Sequence, residues 1–122
     1  MFILDSSAII DVVHGNERGT KILDIVGNEK FYITAFSVNE ILFSEKSIEK
    51  MKEFIEKSYV FNFDKEAAKI SVQIEKDLRK TGKMINKADI FIAAICMQTN
   101  SMLVACDKDF KKVTGLNCVV VD

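Results

Sequence analysis

Short apolar segments alternate with longer amphipathic ones along the chain, and this alternation constrains the fold more than any other feature. Each short segment is rich in Val, Ile, Leu and Phe and too brief for a helix, as is typical of strands buried in a parallel sheet. We predict strands at residues 2–4, 30–33, 59–63, 102–105 and 118–121. Strands that alternate with helices imply right-handed crossovers and a helix-covered sheet. The sequence therefore predicts an α/β fold.

The segments between these strands carry helical patterns. Residues 64–80 repeat apolar side chains every three or four positions, from Ala67 to Leu78, with lysines largely on the other face. Residues 86–98 are apolar almost all round, which predicts a helix buried against the sheet. Further helices are predicted at residues 6–14, 17–26, 37–44 and 47–57. The apolar residues of the last one fit either the core or a dimer interface, and these are Ile48, Met51, Phe54 and Ile55.

The composition is that of one globular domain. The chain has 122 residues, of which 48% are hydrophobic and 29% charged, and it has no proline. We therefore expect a single domain over residues 1–122. No apolar run approaches the roughly 18 residues that span a bilayer, and no signal peptide is visible, so we expect a cytoplasmic protein without a membrane partner. The net charge of −1 neither requires nor excludes a nucleic-acid partner.

Acidic residues recur where predicted strands end. Asp5 follows the first strand, Glu40 comes shortly after the second, and Asp107 and Asp109 follow the fourth. Asp89 lies near the start of the helix that precedes the fourth strand. Open parallel sheets bind ligands outside the carboxyl ends of their strands. We therefore expect these carboxylates to approach one edge of the sheet.

Each acid also has a purely structural interpretation. Ser37-x-x-Glu40 has the pattern of a capping box, and Asn86-x-x-Asp89 is a weaker form of it. Asp5 or Ser6 could cap the first helix, and Asp107 could cap a turn. Capping acids would be scattered over the surface, however, whereas these approach one edge. Taken as a set, they favour a functional site.

Carboxylates held this close repel one another, and a divalent cation removes that cost. Oxygen ligands without a histidine or thiolate favour Mg²⁺ or Mn²⁺ over zinc. The only histidine, His14, is predicted to end a helix. The three cysteines form no C-x-x-C pair and are expected to be reduced thiols. The sequence therefore predicts a hard-metal site.

A metal held by carboxylates is suited to phosphodiester hydrolysis. We hypothesise that Asp5 and Asp89 are the core ligands and that Glu40 and Asp107 orient the attacking water.

Basic residues flank the third and fourth acids. Arg79, Lys83 and Lys87 lead up to Asp89, and Lys108 follows Asp107. They can contact RNA phosphates, which would fix the position of the RNA but not read its sequence. They can equally form a solvated helix face, and the sequence leaves both interpretations open.

Taken in order, these motifs resemble those of PIN domains, specifically the small VapC-like toxin ribonucleases of prokaryotic toxin–antitoxin modules. Residues 4–11 are similar to the family's Leu-Asp-Thr-Ser-x-x-Ile-Asp, and Glu40 stands where the family has its second acid. Residues 78–94 and 103–110 match the segments of the third and fourth acids. The resemblance covers nearly the whole chain.

The resemblance implies a three-layer, Rossmann-like domain with a parallel sheet in the order 3-2-1-4-5, and an Mg²⁺- or Mn²⁺-dependent endoribonuclease. It also implies a homodimer and a small antitoxin partner. Metal ligation would fall on four acids, with Asp109 a less secure fifth. Ser6 and Ser7 match the family's hydroxyl pair and would fix the carboxylate of the first acid. The four principal ligands would be Asp5, Glu40, Asp89 and Asp107.

Two departures from the family pattern concern rate and substrate rather than metal ligands. Ala105 replaces a threonine that is common before the fourth acid, and Asn39 stands where a small residue is usual. Two alternatives to a toxin remain open at this stage. One is a housekeeping RNA-processing nuclease with the same site. The other is a non-catalytic module that binds RNA or protein, against which the presence of all four acids argues.

Overall fold

In the computed structural model, which describes residues 1–44 and 48–122, short strands alternate with helices as the sequence predicts. The strands are β1 (Phe2–Leu4), β2 (Phe31–Thr34), β3 (Tyr59–Phe61), β4 (Met102–Ala105) and β5 (Cys118–Val120). The helices are α1 (Ser6–His14), α2 (Glu17–Val26), α3 (Ala35–Phe43), α4 (Glu49–Lys57), α5 (Lys65–Thr81) and α6 (Lys87–Gln98). A short 3₁₀ helix spans Lys108–Lys112. The α/β fold is confirmed.

The central sheet has five strands in the order β3-β2-β1-β4-β5, which confirms the expected topology. All neighbouring strands are parallel, and Ile3 at the centre lies opposite Tyr32 on one side and Leu103 on the other. From β1 the chain builds outwards through β2 and β3, and then returns to place β4 on the opposite side of β1. The carboxyl ends of β1 and β4 therefore form the topological switch point, where α/β proteins bind ligands.

Helices cover both faces of this sheet. Successive side chains of a strand point to opposite faces, so each strand contributes apolar residues to two separate cores. Ile3 and Leu103 pack into a core with residues of α5 and α6. Leu4 and Val104, the next residues in each strand, belong to a second core formed with residues of α1 to α4. The result is the expected three-layer arrangement. No helix in the described part of the chain is long and apolar enough to cross a membrane.

The start of α3 differs from the prediction and removes the capping-box interpretation of Glu40. The hydroxyl of Thr34, the last residue of β2, accepts a hydrogen bond from the backbone N–H of Ser37 at 3.2 Å. Thr34 is thus the N-cap, and Ser37 is buried in the first turn. Because β2 leads into α3 without a loop, the helix begins at Ala35. Glu40 consequently lies in the second turn, and the capping-box prediction is wrong.

Two other boundaries differ from the sequence-based prediction by two residues, and several more differ by one. The strand predicted at residues 59–63 ends at Phe61, because Phe63 leaves the sheet to pack against Phe36 and Phe91, with ring centroids 5.5 and 4.6 Å apart. Helix α4 begins at Glu49, and position 47 of its predicted range lies outside the described residues.

Most apolar residues of α4 belong to the core. Met51 and Ile55 are buried, and the ring of Phe54 stacks on that of Phe31 with centroids 5.7 Å apart. Ile48, which immediately precedes the helix, is exposed. Of the two interpretations, core or dimer interface, the structure supports the core for the three apolar residues that lie within the helix.

Candidate functional site

A cleft of about 530 Å³ opens at the carboxyl ends of β1 and β4, at the switch point of the sheet. Its walls come from the start of α1, the length of α3, the start of α6 and the segment after β4. The side chains of Asp5, Glu40, Asp89 and Asp107 all line it. The structure thus brings together the four acids that the sequence singled out.

Asp5 occupies the N-cap position of α1, but its side chain makes no capping hydrogen bond. Its carboxylate instead accepts hydrogen bonds from the hydroxyls of Ser7, at 3.2 Å, and Ser6, at 3.5 Å. Its backbone N–H donates to the carbonyl of Val104 at 3.0 Å, which ties the end of β1 to β4. The capping alternative for Asp5 is therefore wrong, and its carboxylate is held towards the cleft.

Ser6 links two of the acids. Its hydroxyl donates to Glu40 Oε2 at 2.8 Å and lies at 3.5 Å from Asp5 Oδ1. A serine hydroxyl has a single proton to donate, so the shorter contact identifies Glu40 as its main acceptor. The sequence predicted support of Asp5 by this serine but gave no sign that it also positions Glu40, since the two residues are 34 positions apart.

The electrostatics of the cleft are those of crowded negative charge. The pKa of Asp89 is raised to about 7, first by burial and then by the carboxylates of Asp5, Asp107, Glu40 and Asp109. Like charges this close disfavour ionisation of Asp89.

The pKa of Asp5 is raised as well, chiefly by burial and further by Glu40 and Asp107, against hydrogen bonds from the Ser6 backbone and Ser7 that lower it. In residues 1–44 and 48–122, no cationic side chain forms an ion pair with the four cleft carboxylates.

The two acids after β4 have different surroundings. Asp107 lines the cleft and also caps the 3₁₀ helix, because its carboxylate accepts the backbone N–H of Asp109 at 2.9 Å. Asp109 does not line the cleft, and its Oδ1 pairs with Lys112 Nζ at 2.9 Å. Asp107 thus caps the 3₁₀ helix and also lines the cleft, whereas Asp109 has a cation of its own.

The donor set of the cleft fits a hard divalent cation. All four side chains offer carboxylate oxygens, and a bound cation would relieve the raised pKa values of Asp5 and Asp89. Among the described residues, no three acidic, histidine or cysteine side chains stand close enough to form a ready-made cage. Mg²⁺ does not need one, since it is commonly bound through one or two carboxylates and keeps several waters.

The basic residues predicted near the site fall into two groups. Arg79 and Lys87 both form ion pairs with Glu75, in the first case at 3.3 Å. Lys83 and Lys108 are exposed. Part of the predicted phosphate-contacting set is therefore engaged with a carboxylate on α5.

Three residues of α3 line the cleft although the sequence analysis assigned them no role in it. Phe36, Asn39 and Phe43 lie beside Glu40 along the wall. The signal was present for the two phenylalanines, because Phe36 and Phe43 lie four and three positions from Glu40 and so share its face of the helix. Phe36 was missed because α3 was predicted to begin after it, whereas Phe43 lay within the predicted helix and its spacing was overlooked.

Comparison with known proteins defines the class. A family model of the PIN domain matches residues 2–116, and the chain therefore belongs to the PIN domain family. No curated protein matches the sequence.

Solved structures share the fold over nearly the full length. VapBC2 from Rickettsia felis, bound to a DNA fragment from its promoter, has a TM-score of 0.83 and 18% identity, covering 99% of this chain and 98% of that chain. FitAcB from Neisseria gonorrhoeae has a TM-score of 0.72 and 26% identity, covering 92% of each chain. VapBC-5 from Mycobacterium tuberculosis, from the VapBC family of toxin–antitoxin systems, has a TM-score of 0.73 and 18% identity, covering 98% and 95%.

Proposed function

We propose that this protein is a divalent-metal-dependent endoribonuclease and the toxin component of a VapC-type toxin–antitoxin system. The observation that supports this most directly is the cleft in which Asp5, Glu40, Asp89 and Asp107 face one another with pKa values raised at Asp5 and Asp89. Membership of the PIN domain family and the VapBC-like fold support the same assignment.

In this proposal Asp5 and Asp89 hold Mg²⁺ or Mn²⁺, with Glu40 and Asp107 completing the site. When bound, the cation supplies Lewis-acid stabilisation of charge on the phosphate oxygens and lowers the pKa of the attacking water. Ser6 holds the Glu40 carboxylate so that Glu40, with Asp107, orients this water in line with the scissile bond. We expect products with 5′-phosphate and 3′-hydroxyl ends.

The assignment is tested by replacing Asp5→Asn and measuring Mg²⁺-dependent cleavage of an unstructured RNA. Because a metal ligand contributes several kcal/mol to transition-state stabilisation, we expect cleavage to fall by more than about a hundredfold. Asp24→Asn, an exposed acid on α2, is the matched control and should cleave normally. Titration calorimetry with Mg²⁺ alone should show weaker binding only in the first variant. Undiminished cleavage by Asp5→Asn would refute the assignment.

The toxin role is separable from that of a processing nuclease in cells. We propose that a small antitoxin, encoded next to this protein, binds it. Expression of the protein alone should arrest growth, and co-expression of the neighbouring small reading frame should relieve the arrest. Asp89→Asn should cause no arrest. Cleavage in vitro without growth arrest would favour an RNA-processing enzyme instead.

The exposed lysines provide the proposed phosphate contacts. Neutralising Lys83 or Lys108 to Ala should reduce the slope of log affinity against log salt by about one. The same change at Lys87 should have less effect, because Glu75 already engages its ammonium. If all three variants keep the slope of the wild type, these lysines only form a solvated surface.

We also keep the homodimer as a proposal. Of the four apolar residues that could form a dimer interface, Ile48 is the exposed one and can contact a second copy of the chain. Sedimentation of the wild type and of Ile48→Glu should show a dimer only for the wild type if this surface is used.

A further inference from the structure

One face of α3 combines aromatic, amide and acidic side chains along the cleft. Phe36, Asn39, Glu40 and Phe43 all line it, at positions i, i+3, i+4 and i+7 of the same helix. The two phenylalanines stand on either side of Glu40, about 10 Å apart along the helix axis. An aromatic ring therefore lies on each side of the carboxylate that is proposed to orient the attacking water.

The two rings have different settings. Phe36 is half-buried and supported by Phe63 and Phe91, whose ring centroids lie 5.5 and 5.3 Å from its own. Phe43 is 87% exposed at the end of the helix. Phe43 thus presents an apolar ring to water at the rim of the cleft. Among the described residues, the cleft thus has one aromatic ring packed against its neighbours and one exposed ring at its rim.

We propose that Phe36 and Phe43 stack on the two bases that flank the scissile phosphate of a single-stranded RNA, and so determine substrate binding. This inference rests on the proposed nuclease function. In that function the cation holds the scissile phosphate and the exposed lysines contact other phosphates, and contacts with the bases add to this affinity. Stacking on aromatic side chains supplies that affinity for any base.

The same geometry selects against double-stranded RNA. Bases within a duplex are stacked on one another, and only unpaired bases can be splayed out onto a protein ring. Asn39, between the two rings, presents an exposed amide that can hydrogen-bond a base edge or a 2′-hydroxyl. The wall of α3 therefore offers π-faces and a polar group to an opened strand, on the same side as the catalytic acid.

The test compares variants of Phe43, whose exposure allows substitution without loss of core packing. A cleavage site is first mapped in an unstructured RNA, and a short oligonucleotide containing it becomes the substrate. Phe43→Leu, which keeps an apolar side chain but removes the π-face, should raise KM about tenfold with little change in kcat. Phe43→Tyr should restore the wild-type KM. Leu42→Ala is the matched control, since Leu42 is 49% exposed on the same helix but does not line the cleft.

Removal of single bases from the substrate identifies the stacking partner. An abasic site next to the scissile phosphate should raise KM for the wild type by a similar factor, and should add little to the defect of Phe43→Leu. Binding of the labelled oligonucleotide to Asp89→Asn, with and without Phe43→Leu, measures the same loss by fluorescence anisotropy in the absence of cleavage. Phe36→Leu should behave likewise, with circular dichroism to check its fold, and the Phe43 series decides the question if that variant does not fold.

The outcomes separate this inference from the proposed function. If the wild type cleaves, Asp89→Asn does not, and Phe43→Leu retains the wild-type KM and affinity, the nuclease stands and the stacking proposal is wrong. If Phe43→Leu and Leu42→Ala cleave normally but both fail to retain the co-expressed antitoxin, the face is a protein-docking surface and the proposal is overturned. If the wild type cleaves no more RNA than Asp89→Asn, the proposed function fails and this inference fails with it.

Discussion

Two buried aspartates of the opening segment, Asp5 and Asp11, have the same exposure of 5% but opposite electrostatics. Asp11 Oδ1 accepts a hydrogen bond from Asn16 Nδ2 at 2.8 Å, and its Oδ2 accepts one from Arg18 Nε at 2.5 Å. Asp5 receives side-chain hydrogen bonds from neutral serines alone among the described residues. Burial is therefore shared, whereas a counter-charge is present at only one of the two.

The pKa values of the two carboxylates differ accordingly. Burial raises the pKa of Asp5, and Glu40 and Asp107 raise it further. Burial also acts to raise the pKa of Asp11, but hydrogen bonds from Arg18, Asn16 and Cys106 outweigh it, and the net shift is downwards.

The Arg18 side chain that covers Asp11 is itself 42% exposed, so Asp11 lies just beneath the surface. The comparison teaches that burial alone does not mark a functional acid. What distinguishes the cleft is negative charge that the described protein residues leave uncompensated.

The largest expected effect on stability comes from breaking the packing that brings Arg18 to Asp11. A Cβ on Gly19 would lie 2.2 Å from the backbone carbonyl oxygen of Asp11, because α2 crosses α1 closely at this point. Gly19→Ala should therefore lower the unfolding free energy by about 3 kcal/mol, although alanine ordinarily stabilises a helix relative to glycine. Urea denaturation measures the loss, and Thr20→Ala should be nearly neutral. A stability gain in the glycine variant would show that the helices separate freely.

The next largest effect has the opposite sign and concerns Asp89. Its folded-state pKa of about 7 lies above the ordinary value of 3.8, so ionisation destabilises the fold as the pH rises from about 4 to 7. In EDTA at pH 8, Asp89→Asn should be more stable than the wild type by about 1–2 kcal/mol, a value reduced for solvent screening. The difference should vanish near pH 4 and shrink when Mg²⁺ is added. A difference independent of pH would contradict the electrostatic explanation.

Asp11→Asn should destabilise the protein by about 1 kcal/mol at pH 7, because it removes a charged acceptor from a half-exposed arginine. The folded-state pKa of Asp11 is lowered, so this contribution is present above pH 4 and is lost as the pH falls through that folded-state value. Thermal unfolding at pH 7 and at pH 3 tests both statements. Asp5→Asn is the matched comparison. At pH 7 it should leave the unfolding free energy unchanged or raise it, while cleavage falls by more than about a hundredfold.

The smallest effect is expected at Asp109, which has a cation partner as Asp11 does. Asp109→Asn removes an exposed ion pair with Lys112 and should change stability by less than about 0.5 kcal/mol and cleavage by less than about fivefold. The same assays as for Asp107→Asn measure this. A loss as large as that of Asp107→Asn would show that Asp109 is a full metal ligand despite its partner.

Much of the fold was predictable because its elements are specified locally. The strands at residues 2–4 and 102–105 and the helices at residues 6–14 and 17–26 have the predicted bounds, since periodicity and caps act within a few residues. The error at α3 arose because Thr34 serves as both the last strand residue and the helix cap. A start at Ser37 looked equally good in the sequence, and it concealed that Phe36 belongs to the helix.

The acids themselves were visible in the sequence, because three of them come after strands of a parallel sheet and the fourth lies near the start of the helix that leads into β4, so all were expected to approach one edge of the sheet. Their order along the chain fixed the candidates, namely Asp5, Glu40, Asp89 and Asp107. Which of them are electrostatically isolated was decided only by the tertiary structure. Ion pairs such as Asp11–Arg18 and hydrogen bonds such as Ser6–Glu40 depend on how helices cross, and packing over both faces of the sheet sets those crossings.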